Sequence, residues 1–337
     1  MRVFRSSLIQ ASMLAALAVL PAAAQSNWQV QRTFHVGGEG GWDYVTIDAP
    51  NHRMFVTRTT HTMAIDSTTG KVLGDIPGQK GSHGVAIAPQ VNRGFITDGG
   101  NGTIVVFDLK TYAVLGQIPA QADADGIIYD PKSDLVAAVS GDGGVLMTFH
   151  PNIDLKNGKV NTIDLGGKPE FLAADGAGRV YVNLENKDLV VVVDLKLSKP
   201  VGRWPVAPGG QPVGMAIDVT GHHLFVGCRN PQKMIVMSTE NGKVEAALPI
   251  GAGVDATGFA RGQAFASCRD GSLTVVGEKN GTWNVEQTVK TAVGARTMGV
   301  DPVSQKIYLP AAELEPATTG RPQPKPGTFM IVEVGRQ

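Results

Sequence analysis

The chain repeats itself, and that limits what it can fold into more than any other feature. Residues 41–78, GWDYVTIDAPNHRMFVTRTTHTMAIDSTTGKVLGDIPG, hold four short segments rich in β-branched and aromatic residues, bounded by Gly, Pro, Asn or Asp. YVTID and RMFVT flank an Ala-Pro-Asn turn, TMAID follows a polar loop, and KVLGDIP follows Ser-Thr-Thr-Gly. Six more copies align with this unit. Their first segments read GVAIAPQ, GIIYDPK, FLAADGA, GMAIDVT, TGFARGQ and MGVDPVS, and their second RGFIT, LVAAVS, RVYVN, HLFVG, QAFAS and KIYLP. Four strands in a period of about 40–45 residues is the signature of a propeller blade. The expected fold is all-β: a seven-bladed β-propeller with four antiparallel strands per blade.

The seventh copy ends after its third segment, FMIVEV. The missing piece lies at the other end, where QVQRTFHVGG (29–38) resembles KVLGDIPG and precedes the first full unit. The N-terminal strand is therefore expected to complete the last blade and close the ring, leaving only short, protected sheet edges. The third segments are apolar on both faces, as strands are when sheets stack on either side of them. Residues 25–337 read as one propeller domain. Residues 1–24 read as a secretory signal peptide, with basic Arg2 and Arg5, an apolar run from Leu8 to Leu20, and Ala22-Ala23-Ala24 before the cut. That run is shorter than the roughly 20 residues a membrane span needs. The expectation is a periplasmic or secreted monomer without a transmembrane segment.

Charge excludes one class of partner. The whole chain carries 30 basic and 30 acidic residues, and losing the two leader arginines leaves it slightly acidic. No basic run interleaved with aromatics stands out, so nucleic acid is not expected as a partner. No phosphate-binding glycine loop, zinc-protease helix motif or paired-cysteine metal motif is present in the sequence.

The turn-centred segments DAPNHRMFVT, DPKSDLVAA, DGAGRVYVN and DPVSQKIYLP resemble the YncE-like family of bacterial propellers built from YVTN-type repeats. The resemblance covers essentially the whole mature chain. It implies the propeller fold and says little about function. Some relatives are described as nucleic-acid binding, which the neutral charge of this chain does not support.

The sharpest functional signal comes from comparing the residue just before the first strand of each unit. It is Asp43, His83, Asp125, Glu170, Val213, Asp255 and Arg296, six of them ionisable. Propeller geometry points such residues at a common axis. Two functional readings follow. The ring could bind a small polar ligand, with Arg296 as a carboxylate or phosphate clamp. Alternatively Asp43, His83, Asp125, Glu170 and Asp255 could hold a divalent cation such as Ca²⁺, Mg²⁺ or Mn²⁺. A wet polar channel that binds nothing is the third, bland alternative.

Loops between second and third strands add Arg58 and His61, Asp98, Asn101, Asp142 and Glu185, and the matched motifs Cys228-Arg229-Asn230 and Cys268-Arg269-Asp270. Arg58, His61, Arg229 and Arg269 join the candidate ligand-binding set, with binding of nearby carbonyls as their plainer role. Trp42 is expected to pack between blades or stack on a ligand. Cys228 and Cys268 are expected to be two buried thiols rather than a disulfide, and His222-His223 an exposed turn. The proline-rich stretch from Ala311 to Gly327 should emerge beside the ionisable ring, as a lid, a docking segment or a loose excursion. The functional expectation is an exported propeller that binds a small polar molecule or a periplasmic protein at one channel mouth, without catalysis. The alternative is a metal-assisted lactonase or lyase with His83 as acid–base and Arg296 as anion clamp.

Overall fold

The structure, a computed structural model, describes residues 27–317, 320 and 322–337; the expected leader, 1–24, lies outside them. Its strands form six antiparallel sheets, five of four strands and one of seven. The large sheet arises because two expected strands are one. Val72–Ala88 pairs on one side with Thr59–Asp66 and on the other with Arg93–Asp98. A break was expected around Gly78–Gly81. The backbone stays extended there because Asp98 Oδ1 accepts the Lys80 and Gly81 N–H groups at 3.0 and 2.8 Å. Those donors would otherwise need a turn to satisfy them.

Each repeat starts at the inside and works outward. The inner strands neighbour one another in sequence, from Val45–Asp48 through the end of Val72–Ala88, then Ala124–Asp130, Pro169–Ala174, Pro212–Asp218 and Val254–Ala260 to the short Gly299–Val300. That last strand returns to Val45–Asp48. Between neighbouring sheets lie apolar layers in which aromatic rings meet across the gap. Phe55 sits 5.4 Å from Phe107, Phe95 5.4 Å from Phe149, and Phe225 5.2 Å from Trp283. Middle strands such as Arg53–Thr57 and Leu189–Asp194 are buried on both faces, which explains their unbroken apolar sequence. This radial stacking is a β-propeller. On the outside, aspartates end strands by accepting N–H groups two and three residues on, as Asp66 does from Thr68 and Thr69, and Asp108 from Lys110 and Thr111.

The N-terminal strand behaves as its sequence implied. Trp28–His35 pairs antiparallel with Met330–Arg336, making a four-stranded sheet with Ile307–Ala311 and Gly299–Val300. Trp28 also ties this sheet to its neighbour. It is 1% exposed, its ring lies 4.7 Å from Phe265, and its indole N–H donates to Gln263 Oε1 at 2.7 Å. Replacing it (Trp28→Ala) should cost about 3–5 kcal/mol, the usual range for a buried aromatic. Urea unfolding followed by circular dichroism would measure this, and a cost below about 1 kcal/mol would show that the N-terminal strand is not a clasp.

Candidate functional site

A local irregularity in the sheets builds the site. The inner strands carry a register shift where the ionisable residue sits. His83-Gly84 faces Thr97 alone, Asp125-Gly126 faces Val139, Glu170-Phe171 faces Asn183, and Val213-Gly214 faces Gly227. Two residues against one is a β-bulge, which bends the strand and re-aims the extra side chain. His83, Asp125, Glu170, Val213 and Asp255 thus lie inside strands rather than just before them, whereas Asp43 and Arg296 do precede theirs. Side chains at the ends of the second strands then reach the next inner strand. Thr57 Oγ1 donates to the His83 carbonyl at 2.7 Å, Thr97 Oγ1 to that of Asp125, Asn183 Nδ2 to that of Val213 at 2.8 Å, and Ser267 Oγ to that of Arg296 at 2.6 Å. Thr297 Oγ1 does the same for Asp43 at 2.7 Å. The main chain of the ring is therefore pinned.

Its side chains sort into two halves. On one, His83 Nδ1 lies 2.7 Å from Asp43 Oδ2 and 3.7 Å from Asp125 Oδ1. Burial opposes charge on the imidazole, but the bond to Asp43 and the field of Asp125 prevail and raise its pKa to about 9. Asp125 is pushed well above the usual carboxylate range by burial, with Asp43, Glu170 and Asp123 adding to the shift and His83 opposing it. On the other half, Asp255 gathers three guanidinium groups. Arg229 is paired to it, Arg269 Nη2 lies at 3.7 Å, and Arg296 Nε approaches at 2.5 Å without hydrogen-bond alignment. Arg229 also meets Glu185 at 3.1 Å and Glu170 at 3.6 Å. Burial and the charge of Glu185 push Glu170 up to about 7 despite Arg229. Arg296 bridges the halves, 3.8 Å from Asp43 Oδ1 and donating to the Trp42 carbonyl at 2.8 Å.

Two aromatics that sequence reasoning passed over meet beside this ring. Tyr44, just before Val45–Asp48, and Phe171, within Pro169–Ala174, stack at 4.6 Å between ring centroids. The signal was present one residue after each ring position. There the chain has Tyr44, Gly84, Gly126, Phe171, Gly214, Ala256 and Thr297, two large side chains among small ones. Burial and then the surrounding charges of Asp125, Asp43, Asp255 and Glu170 raise the Tyr44 phenol well above its usual pKa, which keeps it neutral.

In front of the ring lies a cavity of about 370 Å³. Asp43, His83, Arg269 and Arg296 supply its polar wall, and Trp42, Val293, Leu314, Pro322 and Pro324 its apolar one. The proline-rich segment thus emerges where expected and covers the mouth. It doubles back on itself through a Leu314–Pro324 bridge, paired main-chain bonds between Glu315 and Gln323 and between Lys325 and Glu313, and a Lys325–Glu313 ion pair at 3.1 Å. Trp42 packs between blades, joining Phe329 and Leu314 in a buried cluster, while its ring stays within 5.7 Å of the Arg296 guanidinium.

Other candidates lie elsewhere. Arg58 is wholly buried, stacked 3.7 Å above Phe329, and donates to the carbonyls of Gly37, Glu39, Gly40 and Gly41. Its role is to hold the loop that presents Trp42 and Asp43. Burial lowers its pKa to about 10. His61 lies 3.8 Å from Asp75 and does not line the cavity. Cys228 and Cys268 are free and buried, and burial pushes both thiols up to about 12. His223 is no exposed turn: it pairs with Glu245 at 3.1 Å and meets Trp283 edge-on.

With this geometry in hand, comparison with known proteins speaks to the fold. The Kuenenia stuttgartiensis hydrazine synthase structure superposes with a TM-score of 0.68 at 13% identity, over 80% of this chain and 92% of that one. The likeness is one of fold alone. No protein-family model matches the chain, and no curated protein matches it in sequence.

Two tests follow from the ring. Thr97→Val leaves the Asp125 carbonyl and the Gly84 N–H short of a partner and should cost about 1–3 kcal/mol in urea unfolding. Glu170 holds its proton in the folded chain up to about pH 7, whereas unfolded it releases it near 4.5. The folded state therefore binds more protons in that window, and its stability must fall as pH rises through it. Glu170→Gln should flatten that part of a melting-temperature profile between pH 4.5 and 7; an unchanged slope would place the effect elsewhere.

Proposed function

We propose that this chain is an exported, seven-bladed propeller of the YncE-like, YVTN-repeat kind that binds a small organic anion at one channel mouth without transforming it. The seven-stranded sheet counts as two blades sharing Val72–Ala88, and the circuit of inner strands supports that count. Export rests on the basic, apolar and small-residue pattern of residues 1–24.

The observation that carries the ligand reading is the cavity itself. A 370 Å³ space suits a small molecule, and its two walls differ in kind. Arg269, Arg296 and a cationic His83 face one side, which favours a carboxylate or phosphate. Trp42, Leu314 and the two prolines favour an apolar or flat body on the other. Binding without turnover is favoured by His83, which near neutral pH already carries its proton and so is a donor rather than a base.

Thermal-shift titration of the mature chain with benzoate, phenylacetate and a neutral sugar tests this, since a ligand that binds only the folded state raises its melting temperature. The carboxylates should raise the midpoint and the sugar should not. Arg269→Gln should weaken carboxylate binding about tenfold, the scale of one charge-assisted hydrogen bond. If no carboxylate or phosphate moves the midpoint, or if Arg269→Gln binds as tightly as the parent, the reading fails.

A further inference from the structure

We propose that Asp43, His83 and Asp125 form a binding site for a first-row divalent transition cation of the zinc or manganese class, at the wall of the cavity. One donor atom from each lies within 4.8 Å of the other two. Metal–ligand bonds of about 2.1 Å at tetrahedral or octahedral angles set donors about 3.0–3.5 Å apart. The two separations from His83 Nδ1, 2.7 and 3.7 Å, straddle that range. Small side-chain rotations are enough to seat an ion, while the main chain needs no movement.

Three further observations favour a cation here. Asp125 Oδ1 is enclosed and has no hydrogen-bond partner among the described residues, so a carboxylate oxygen faces His83 and Asp43 with a lone pair to spare. Such an oxygen is costly to bury unless something positive meets it. Second, the donors stand on rigid supports: Thr57 pins the carbonyl of His83, Thr97 that of Asp125 and Thr297 that of Asp43. Third, once the ion takes the place of the proton held between His83 and Asp43, two carboxylates and one imidazole neutralise a dication, and Asp43 and His83 line the cavity, so the ion keeps open positions toward it.

The remaining acids of the ring do not belong to this site. Glu170 is drawn 3.6 Å from Arg229, and Asp255 is surrounded by Arg229, Arg269 and Arg296. Of five acidic or imidazole groups that could converge, the arginines hold two and leave three. The imidazole nitrogen also decides the class of ion. Ca²⁺ and Mg²⁺ take oxygen donors, whereas a mixed nitrogen and oxygen set suits Zn²⁺, Mn²⁺ or Co²⁺.

This site uses His83 as a neutral ligand, so an ion here supplies the positive charge that the imidazolium would otherwise offer an organic anion; its test uses the metal alone. Mature protein without a histidine tag, stripped with a chelator and dialysed, is titrated with Zn²⁺ and Mn²⁺ by calorimetry, and with Co²⁺ by visible absorption. Binding of one ion per chain at micromolar concentration is expected, with a Co²⁺ spectrum of nitrogen and oxygen donors. Loss of an outer partner to a metal ligand already costs about 10–100-fold in affinity, so Asp125→Asn and His83→Asn should each lose more than about 100-fold. Glu245→Gln, paired with His223 away from the cavity, should bind as the parent does, and circular dichroism shows that each variant is folded. No saturable binding by the stripped parent, Asp125→Asn binding as tightly as the parent, or Ca²⁺ binding in preference to Zn²⁺ and Mn²⁺ would each overturn the proposal.

Discussion

A hydroxyl or amide at the end of one strand, reaching a carbonyl of the next inner strand, is the contact on which this molecule turns. Thr57, Thr97, Asn183 and Ser267 each sit across from, or just beyond, an inner strand and bond the carbonyl of the ring residue on the next inner strand. Apolar packing between sheets is non-directional and would tolerate some sliding. A buried hydrogen bond fixes the offset, because a slip leaves a carbonyl without a partner. The bulges belong to the same device. By placing two residues opposite one, they leave that one free to look sideways and turn the extra side chain toward the axis. Where Val139 or Gly227 stands in this place there is no hydroxyl to give. At the sheet of Gly227 the link comes from the other side, Thr257 Oγ1 donating to the Phe225 carbonyl at 3.0 Å.

Having pinned the main chain, the fold can crowd charges that would repel in a looser frame. The mouth divides into a guanidinium-rich side around Asp255 and a carboxylate-rich side around His83. Neither side is self-sufficient in an apolar medium, since burial penalises every ion in it. Arg296 joins them, with contacts to Asp255 and Asp43, so the two halves share one network. Arg58 acts one layer back. Its charge is spread over four carbonyls and an aromatic face, and through them it sets where Trp42 and Asp43 stand.

Much of this was legible in the residues. The repeat of strand and turn signals gave the sheets, and the incomplete last copy gave the N-terminal strand that completes it, because both depend on local pattern. Comparing one position across copies found the ring, since Asp43, His83, Asp125, Glu170, Asp255 and Arg296 do meet. What the pattern could not carry was pairing across the axis. Nothing local says that Arg229 turns to Asp255 and Glu170, or that Arg58 turns away to the 37–41 loop. Nor does it reveal that Asp98 keeps Val72–Ala88 unbroken by accepting two N–H groups from a residue 17 or 18 positions distant. His223 looked like a surface turn because its partner, Glu245, lies on the far strand of the same sheet. Long-range side-chain choices of this kind follow from the assembled surface, not from the segment that carries them.

The stack of Tyr44 on Phe171 has a consequence for how the ring holds together. Two rings from opposite parts of the circuit meet there and tie Val45–Asp48 to Pro169–Ala174 directly, across the ring rather than around it. A strain on one side of the circuit is therefore felt on the other through this pair, without passing through the sheets between.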